Sequence, residues 1–212
     1  MEDDGGALEL GGEKQRVLLA FLLVHANQPV SPDQLIEALW GGEPPRSAQN
    51  ALQVRVSGLR KLLGPDRIAT RAGGYALLVE AGELDSLRFE KLAAEGIQSL
   101  GNGDRDRGAK LLREALGLWR GSALADLAFE PFAAAEAGLL DEHRLAVLEQ
   151  RIEADLARGL DADLIGELEA LVAENAFRER FRALLMLALY RAGRQAEALD
   201  AYRQARRTLV DE

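Results

Sequence analysis

The spacing of apolar residues predicts helices over most of the chain and one short β segment. At about 100° per residue, Leu52, Val56 and Leu59 fall on one narrow face of a helix. Such a stripe is typical of an amphipathic helix that packs on a core. Gly64 and Pro65 follow directly and predict the end of this helix, because proline cannot continue it.

Two β-like runs come next, at residues 68–71 and 75–79, and Ala72-Gly73-Gly74 joins them. The glycines permit the positive φ angles that a tight hairpin turn requires. Arg71 stands at the tip of this predicted hairpin. A helix, an abrupt stop and an arginine-tipped hairpin follow one another in a winged helix, so we predict that arrangement.

The residues before this stretch complete the same plan. Residues 13–25 are apolar nearly all round and predict a buried helix, and residues 7–10 are predicted as a short strand. Ser31 as N-cap, Pro32 at the first helical position and Gln34 two residues later predict a second helix that begins with a capping box. Three helices and a β-hairpin within about 70 residues are typical of a winged helix-turn-helix.

After residues 80–83 the apolar period becomes helical and stays so to residue 210. A repeat of 34 residues, the tetratricopeptide length, relates the turn at residues 158–160 to the turn at residues 192–194. The helices that follow these turns carry apolar residues at matching steps: Leu164, Leu168 and Leu171 in one, Ala198, Tyr202 and Ala205 in the other. A plain helical bundle is the alternative interpretation.

These patterns predict a mainly α-helical fold with two domains. Residues 1–80 are predicted to form a winged helix-turn-helix domain with a small β-hairpin wing. Residues 84–212 are predicted to form a tetratricopeptide-like α-helical repeat domain, whose stacked helices offer a concave face to a partner.

The charge pattern singles out the stretch from residue 44 to residue 75. The chain of 212 residues has a net charge of −9, yet this stretch holds six basic residues and one acidic residue, a local charge of +5. A basic island on an acidic protein is a candidate footprint for a polyanion. Residues 81–212 carry 18 basic and 25 acidic residues, so the second domain is expected to face away from DNA and to contact proteins.

Other chemistry is not indicated. The chain has no cysteine and no phosphate-binding P-loop, and His25 and His143 lack metal-ligand spacing. We expect His143 on a solvated helix face and His25 near a helix C-terminus. No catalytic residue, metal ligand or cofactor is therefore predicted, and we do not expect an enzyme. The N-terminus does not resemble a signal peptide and no run of about 18 apolar residues occurs, so a soluble, cytoplasmic protein is expected.

The face of the basic helix opposite its apolar stripe suits a DNA major groove. Asparagine and glutamine can bond base edges, arginine can reach guanine or phosphate, and Val54 could meet a thymine methyl group. A solvated surface helix with idle charges is the alternative interpretation of this face. The hairpin favours DNA binding, because it places Arg71 where it can enter a minor groove or contact phosphate.

The segment LGGEKQRVLLAFLLVHANQPVSPDQLIEALWGGEPPRSAQNALQVRVSGLRKLLGP and the wing TRAGGY resemble the DNA-binding domain of SARP-type bacterial regulators. These proteins activate antibiotic pathways in actinobacteria and have an OmpR-type winged helix. The resemblance implies DNA contacts from the basic helix and the wing. Gly58 stands where response-regulator relatives often carry a basic residue, and most of the strands that usually precede the helices are missing.

The segment FRERFRALLMLALYRAGRQAEALDAYRQARRTLVDE resembles the bacterial transcriptional activator domain, the helical companion of that winged helix. The order of the two domains also agrees. The resemblance stops at residues 210–212, where relatives usually continue, so this chain is expected to be a fragment of a longer regulator. It implies protein partners such as RNA polymerase, another subunit or a downstream sensor, and it leaves homo-oligomerisation open.

We therefore predict a sequence-specific transcriptional regulator, an activator, that binds promoter DNA. Residues 46–63 are predicted as the recognition helix in the major groove and residues 68–79 as the wing on the minor groove or backbone. The predicted DNA-binding residues are Arg46, Ser47, Asn50, Gln53, Val54, Arg55, Ser57, Arg60, Lys61, Arg71 and Gly73. A protein–protein scaffold without DNA binding and an unrecognised enzyme are the rival interpretations.

Overall fold

The computed structural model describes residues 10–80, 82–127 and 130–210. Its packing divides the chain into two units. The first contains residues up to Leu84 together with Gly121–Asp141, and the second contains Asp85–Arg120 and Glu142–Glu212. Because residues 121–141 pack with the first unit, these units do not correspond to one cut near residue 80, and the predicted domain boundaries stay a prediction.

Helices and a hairpin form the first unit around one core. Its principal elements are α1 (Glu13–Val24), α2 (Pro32–Trp40), α3 (Ala48–Leu63), β1 (Ile68–Arg71) and β2 (Gly74–Leu77). The strands pair antiparallel from Ile68 opposite Leu77 to Arg71 opposite Gly74. The three helices and both strands contribute to the core, and Phe132 packs against it with its ring 5.0 Å from that of Phe21.

The starts and ends of the helices follow local sequence signals. At the start of α2 the backbone N–H of Gln34 donates to Ser31 Oγ (3.2 Å), and the Ser31 N–H donates to Gln34 Oε1 (3.1 Å), as the predicted capping box requires. His25 caps the C-terminus of α1, next to the ring of Phe21. Helix α3 begins two residues later than predicted, with Ser47 as its N-cap.

The second unit is helical throughout its described part. Its helices are α4 (Asp85–Gly101), α5 (Arg105–Leu116), α6 (Pro131–Leu156, whose first residues belong to the first unit), α7 (Asp161–Glu174), α8 (Glu179–Arg191) and α9 (Gln195–Val210), and a short 3₁₀ turn (Ala125–Leu127) precedes α6. Helix α4 packs on α5, and α8 packs on both α7 and α9. The predicted fold, mainly α with a small hairpin wing and tetratricopeptide-like helices, is confirmed.

Some details of the sequence prediction need correction. His143 was expected on a solvated face, but it is half-buried with its ring 5.0 Å from that of Phe89, because this side of α6 packs on the core near α4 and α5. In the 34-residue repeat, Leu168 is buried but its counterpart Tyr202 is 54% exposed. The predicted strand at residues 7–10 lies, except for Leu10, outside the described residues.

Candidate nucleic-acid interface

Helix α3 is held from one side, which leaves the opposite side free. Leu52, Val56 and Leu59 are buried in the first core, and α3 packs on α1, α2 and β1. Across the helix from this stripe lie Val54 and Lys61, and Val54 is 72% exposed although it is apolar. A large exposed apolar side chain in the middle of a polar helix face indicates a contact surface rather than a core.

The structure exposes nine of the eleven residues that the sequence predicted for DNA binding and half-buries the other two. The exposed residues are Arg46, Ser47, Asn50, Gln53, Val54, Ser57, Lys61, Arg71 and Gly73. The half-buried residues are Arg55 and Arg60. The exposed set lies on the outer side of α3, just before its N-terminus, and at the tip of the hairpin.

Three cations of this surface are available for an external anion. Arg46, Lys61 and Arg71 are exposed, and none forms an ion pair with any residue that the structure describes. The last turn of α3 also contains Arg60 and Lys61, where positive charge complements the helix dipole. The surface therefore keeps the positive charge that the sequence predicted for it.

Arg55 leans away from the exposed face toward α2. Its guanidinium carbon lies 5.8 Å from the centre of the Trp40 ring, a cation–π distance. Its Nε is buried and has no hydrogen-bond partner among the described residues. Sequence reasoning missed Trp40 as a support for this arginine, because fifteen residues separate the two and no local pattern joins them.

Arg60 leans to the other side and touches the hairpin. Its Nε donates to the carbonyl oxygen of Ile68 (2.9 Å), and its Nη2 donates to Thr70 Oγ1 (3.0 Å). The guanidinium carbon also lies 5.9 Å from the centre of the Tyr75 ring. Sequence reasoning assigned Arg60 to DNA alone and missed these three hairpin residues as its partners.

A two-residue turn forms the tip of the hairpin. Ala72 and Gly73 have φ angles of 46° and 79°, and they connect Arg71 directly to Gly74 in the ladder. Positive φ at both central residues is the mark of a type I′ turn, whose twist matches that of the paired strands. Arg71 therefore stands on a tight, regular turn instead of on a long loop.

Gly74 serves a different purpose from the one predicted. It is the first residue of β2, outside the turn, and it is buried. A Cβ atom at this position would lie 2.2 Å from the backbone oxygen of Val30, which pairs with Tyr75 through two backbone hydrogen bonds of 2.9 Å. Glycine at position 74 therefore lets the segment before α2 join the hairpin as a third strand-like edge.

Arg67 lies in the basic stretch, but its charge is paired with a carboxylate. Its two Nη atoms donate to the two carboxylate oxygens of Glu83, at 2.7 Å and 2.5 Å. Hydrogen bonds from Arg67 and from the backbone of Glu80 lower the pKa of Glu83 to about 2. The charge of Arg67 is thus compensated within the first unit.

Gly58, where response-regulator relatives often carry a basic residue, does not lie on the exposed face of α3. Gly58 is half-buried, and a Cβ atom there would lie 2.9 Å from the side-chain nitrogen of Gln15 on α1. Position 58 therefore faces α1 in this protein. Glycine at this position leaves room for the Gln15 side chain.

Metal ligation and membrane insertion were also considered for the described part of the chain. Over residues 10–80, 82–127 and 130–210, no group of three or more histidine or acidic side chains has an arrangement that could hold a metal ion. Within the same residues, the helices are all too short or too polar for a membrane crossing.

A winged helix with an exposed recognition face, followed in one chain by tetratricopeptide-like helices, defines a class of bacterial transcriptional regulators. Residues 7–77 match the family described as transcriptional regulatory protein, C terminal, and residues 84–212 match the bacterial transcriptional activator domain. The chain belongs to the SARP-type family of bacterial transcriptional regulators.

Several relatives are similar over nearly the whole chain. The regulatory protein AfsR of Streptomyces coelicolor is 44% identical over 99% of this chain, and the regulatory protein DnrI of Streptomyces peucetius is 38% identical over 94%. The solved structure of Mycobacterium tuberculosis EmbR in complex with a low-affinity phosphopeptide has a TM-score of 0.93, 36% identity and 99% coverage. The chain spans 21% of AfsR, 77% of DnrI and 57% of the EmbR chain.

Proposed function

We propose that this chain binds double-stranded promoter DNA in a sequence-specific manner and activates transcription. Helix α3 would lie in the major groove, and the hairpin wing would contact the minor groove or the backbone. The observation that carries this proposal is the exposed face of α3. Polar side chains and Val54 lie there beside cations that pair with no carboxylate of the described residues. Family membership supports a regulator over a scaffold that lacks DNA binding.

Within this proposal, the exposed residues divide into readers and anchors. Asn50 and Gln53 have the amide groups that bond adenine edges, and Val54 has the apolar surface that meets a thymine methyl group. Arg46 and Lys61 bracket α3 and would contact phosphates, which fix the register without reading sequence. Arg71 at the wing tip would contact the minor groove or a phosphate. The remaining exposed residues, Ser47, Ser57 and Gly73, would approach the backbone, and Arg55 would act from the edge of the surface.

The second part of the proposal concerns the helical repeat domain. We propose that this domain comprises residues 84–212 and that the winged-helix domain comprises residues 1–80. Its charge of −7 over residues 81–212 opposes contact with DNA and favours a protein partner. RNA polymerase or another subunit is the proposed partner, and self-association is a further proposal. A protein that acts on promoter DNA in a bacterium works in the cytoplasm.

Selection of bound fragments from random duplex DNA tests the first part of this proposal. The protein is expected to enrich one motif and to shift it in a gel at lower protein concentration than a scrambled duplex. If Arg46, Arg55, Lys61 and Arg71 each neutralise one phosphate, log K is expected to fall with log salt concentration at a slope of about −4. Failure to enrich any motif, together with equal affinity for scrambled DNA, would rule the proposal out.

A further inference from the structure

Arg60 joins the recognition helix to the wing. It projects from the flank of α3, and its guanidinium reaches both strands of the hairpin. Two donated hydrogen bonds go to Ile68 and Thr70 of β1, and the Tyr75 ring of β2 lies 5.9 Å away. Because a planar guanidinium donates in fixed directions, these contacts define both a distance and an orientation between helix and hairpin.

The contacts end next to the tip of the wing. Thr70, which accepts from Nη2, is the neighbour of Arg71, and the turn at Ala72 and Gly73 follows at once. The other strand is held at its first residues by the backbone pairing of Tyr75 with Val30. The bonds of Arg60 therefore connect α3 to the residue next to Arg71.

We propose that Arg60 is a positioning residue that places Arg71 relative to the recognition helix, instead of an independent phosphate anchor. This inference rests on the proposed DNA binding and adds to it a division of labour between two arginines. Lys61, the next residue on α3, is exposed and makes no comparable contact with the hairpin in the described structure. Lys61 thus supplies a matched cation whose effect on DNA does not pass through the wing.

A double-mutant cycle separates the two roles. Arg60→Ala and Arg71→Ala are each expected to weaken binding to the selected duplex about tenfold, the loss typical of one charge-assisted contact. If Arg60 acts through Arg71, the double variant binds no more weakly than Arg71→Ala, because the contact that Arg60 positions is already absent. Losses that multiply to about a hundredfold would overturn the proposal.

The salt dependence of DNA binding gives a second test. Loss of a phosphate anchor changes the slope of log K against log salt, whereas loss of a positioning residue does not. In the Arg71→Ala background, adding Arg60→Ala is expected to leave the slope of log K against log salt unchanged. Adding Lys61→Ala to the same background is expected to reduce the slope by about 0.9, the value for one lost phosphate contact. An equal reduction by Arg60→Ala would show that Arg60 neutralises a phosphate itself and would overturn the proposal.

Two further variants keep the test informative if Arg60→Ala folds poorly. Thr70→Val removes one acceptor of Arg60 with little change in shape, and it is expected to weaken DNA binding only when Arg71 is present. Arg67→Ala removes the arginine just before β1, at the end of the strand away from the wing tip, and is expected to leave DNA affinity unchanged. A Thr70→Val loss that persists without Arg71 would contradict the proposal, whereas a wild-type chain that binds no duplex would instead refute the proposed function.

Discussion

The two units use arginine in opposite ways. In the described part of the second unit, ten of the sixteen arginines pair with carboxylates, for example Arg151 with Glu167 and Asp155, and Arg178 with Glu142 and Glu149. In the described part of the first unit, Arg67 has a carboxylate partner, whereas the cations on α3 and at the wing tip have none. The first unit thus exposes cations without carboxylate partners on α3 and at the wing tip, whereas the second unit pairs most of its arginines.

This contrast explains how an acidic chain can present a cationic surface. The net charge of the chain does not predict the charge of one surface, because most charged side chains of the second unit pair with one another. Carboxylates beside Lys61 or Arg71 would compete with phosphate for the same cations, and the described structure places none within ion-pair distance of them. This difference between paired and unpaired cations can be tested by substitutions in both units.

The largest effect is expected at Asp155, the centre of the compensated charges. Asp155 is 2% exposed and accepts from Arg113 and Arg158, with Arg151 3.5 Å away. Asp155→Ala removes two charge-assisted hydrogen bonds and the buried carboxylate beside Arg151. Since each such bond contributes about 1.5–3 kcal/mol, the variant is expected to lower the free energy of unfolding by about 3–5 kcal/mol. Urea denaturation measures this loss.

The control is Asp200→Ala, which removes an exposed partner of Arg203. This variant is expected to change the free energy of unfolding by less than about 1 kcal/mol, as is usual for surface pairs. If both substitutions cost the same, the buried cluster does not hold the second unit together.

Charge reversal in the first unit is expected to have the next largest effect. Lys61→Glu combined with Arg71→Glu replaces two displayed cations by anions and should weaken DNA binding by about a hundredfold or more, since each charged contact contributes about 1.5–3 kcal/mol. Fluorescence anisotropy with the selected duplex measures the affinity. Arg206→Glu combined with Arg207→Glu, on exposed positions of α9, is the matched control and should change affinity far less. Equal losses in the two variants would mean that the location of the charges does not matter.

The third prediction concerns the close approach of Gly74 in the wing to the backbone of Val30. Gly74→Ala places a methyl group against the backbone oxygen of Val30, and this atom cannot move as a flexible side chain would. We expect a loss of about 1–3 kcal/mol in the free energy of unfolding, as for other overpacked sites. Thermal denaturation measures the loss. Gly42→Ala, where nothing lies within 4 Å of the added atom, should cost much less, and equal costs would contradict the close approach.

The smallest effect is the acid sensitivity of the Arg67–Glu83 pair. The pKa of Glu83 is about 2 in the folded chain against an ordinary value of 4.5, so its stabilising contribution is complete above about pH 5 and disappears as the pH falls toward 2. The stability difference between wild type and Glu83→Gln should shrink over that range. Because both side chains are well exposed, the difference stays small. If the difference does not change with pH, the ion pair does not contribute to the free energy of unfolding. Glu43→Gln, at an exposed glutamate, is the control, and its stability difference from wild type should not change over the same pH range.

Sequence reasoning predicted what depends on neighbours along the chain. The capping box of α2 requires only residues 31–34, and the period of α3 separates its buried stripe from its exposed face without any knowledge of the partners. The end of α3 at Gly64 follows from the glycine–proline pair. These local signals were sufficient for the fold class and for the exposure of nine of the eleven candidate residues.

What sequence reasoning missed depends on contacts between distant residues. Arg55 and Arg60 occupy flanks of α3 that the helical period leaves between buried and exposed, so their partners decide where they point. Trp40 lies fifteen residues before Arg55, and Thr70 belongs to a separate element from Arg60. Gly74 shows the same limit, because its role depends on Val30, far away in the sequence.

The dependence of DNA affinity on salt tests the displayed charge most directly. For the duplex selected from random DNA, log K is expected to fall with log salt concentration at a slope of about −4, and Lys61→Ala should reduce that slope by about 0.9 while it weakens selected and scrambled duplexes alike. An affinity that does not change with salt, or a slope that Lys61→Ala leaves untouched, would contradict the account.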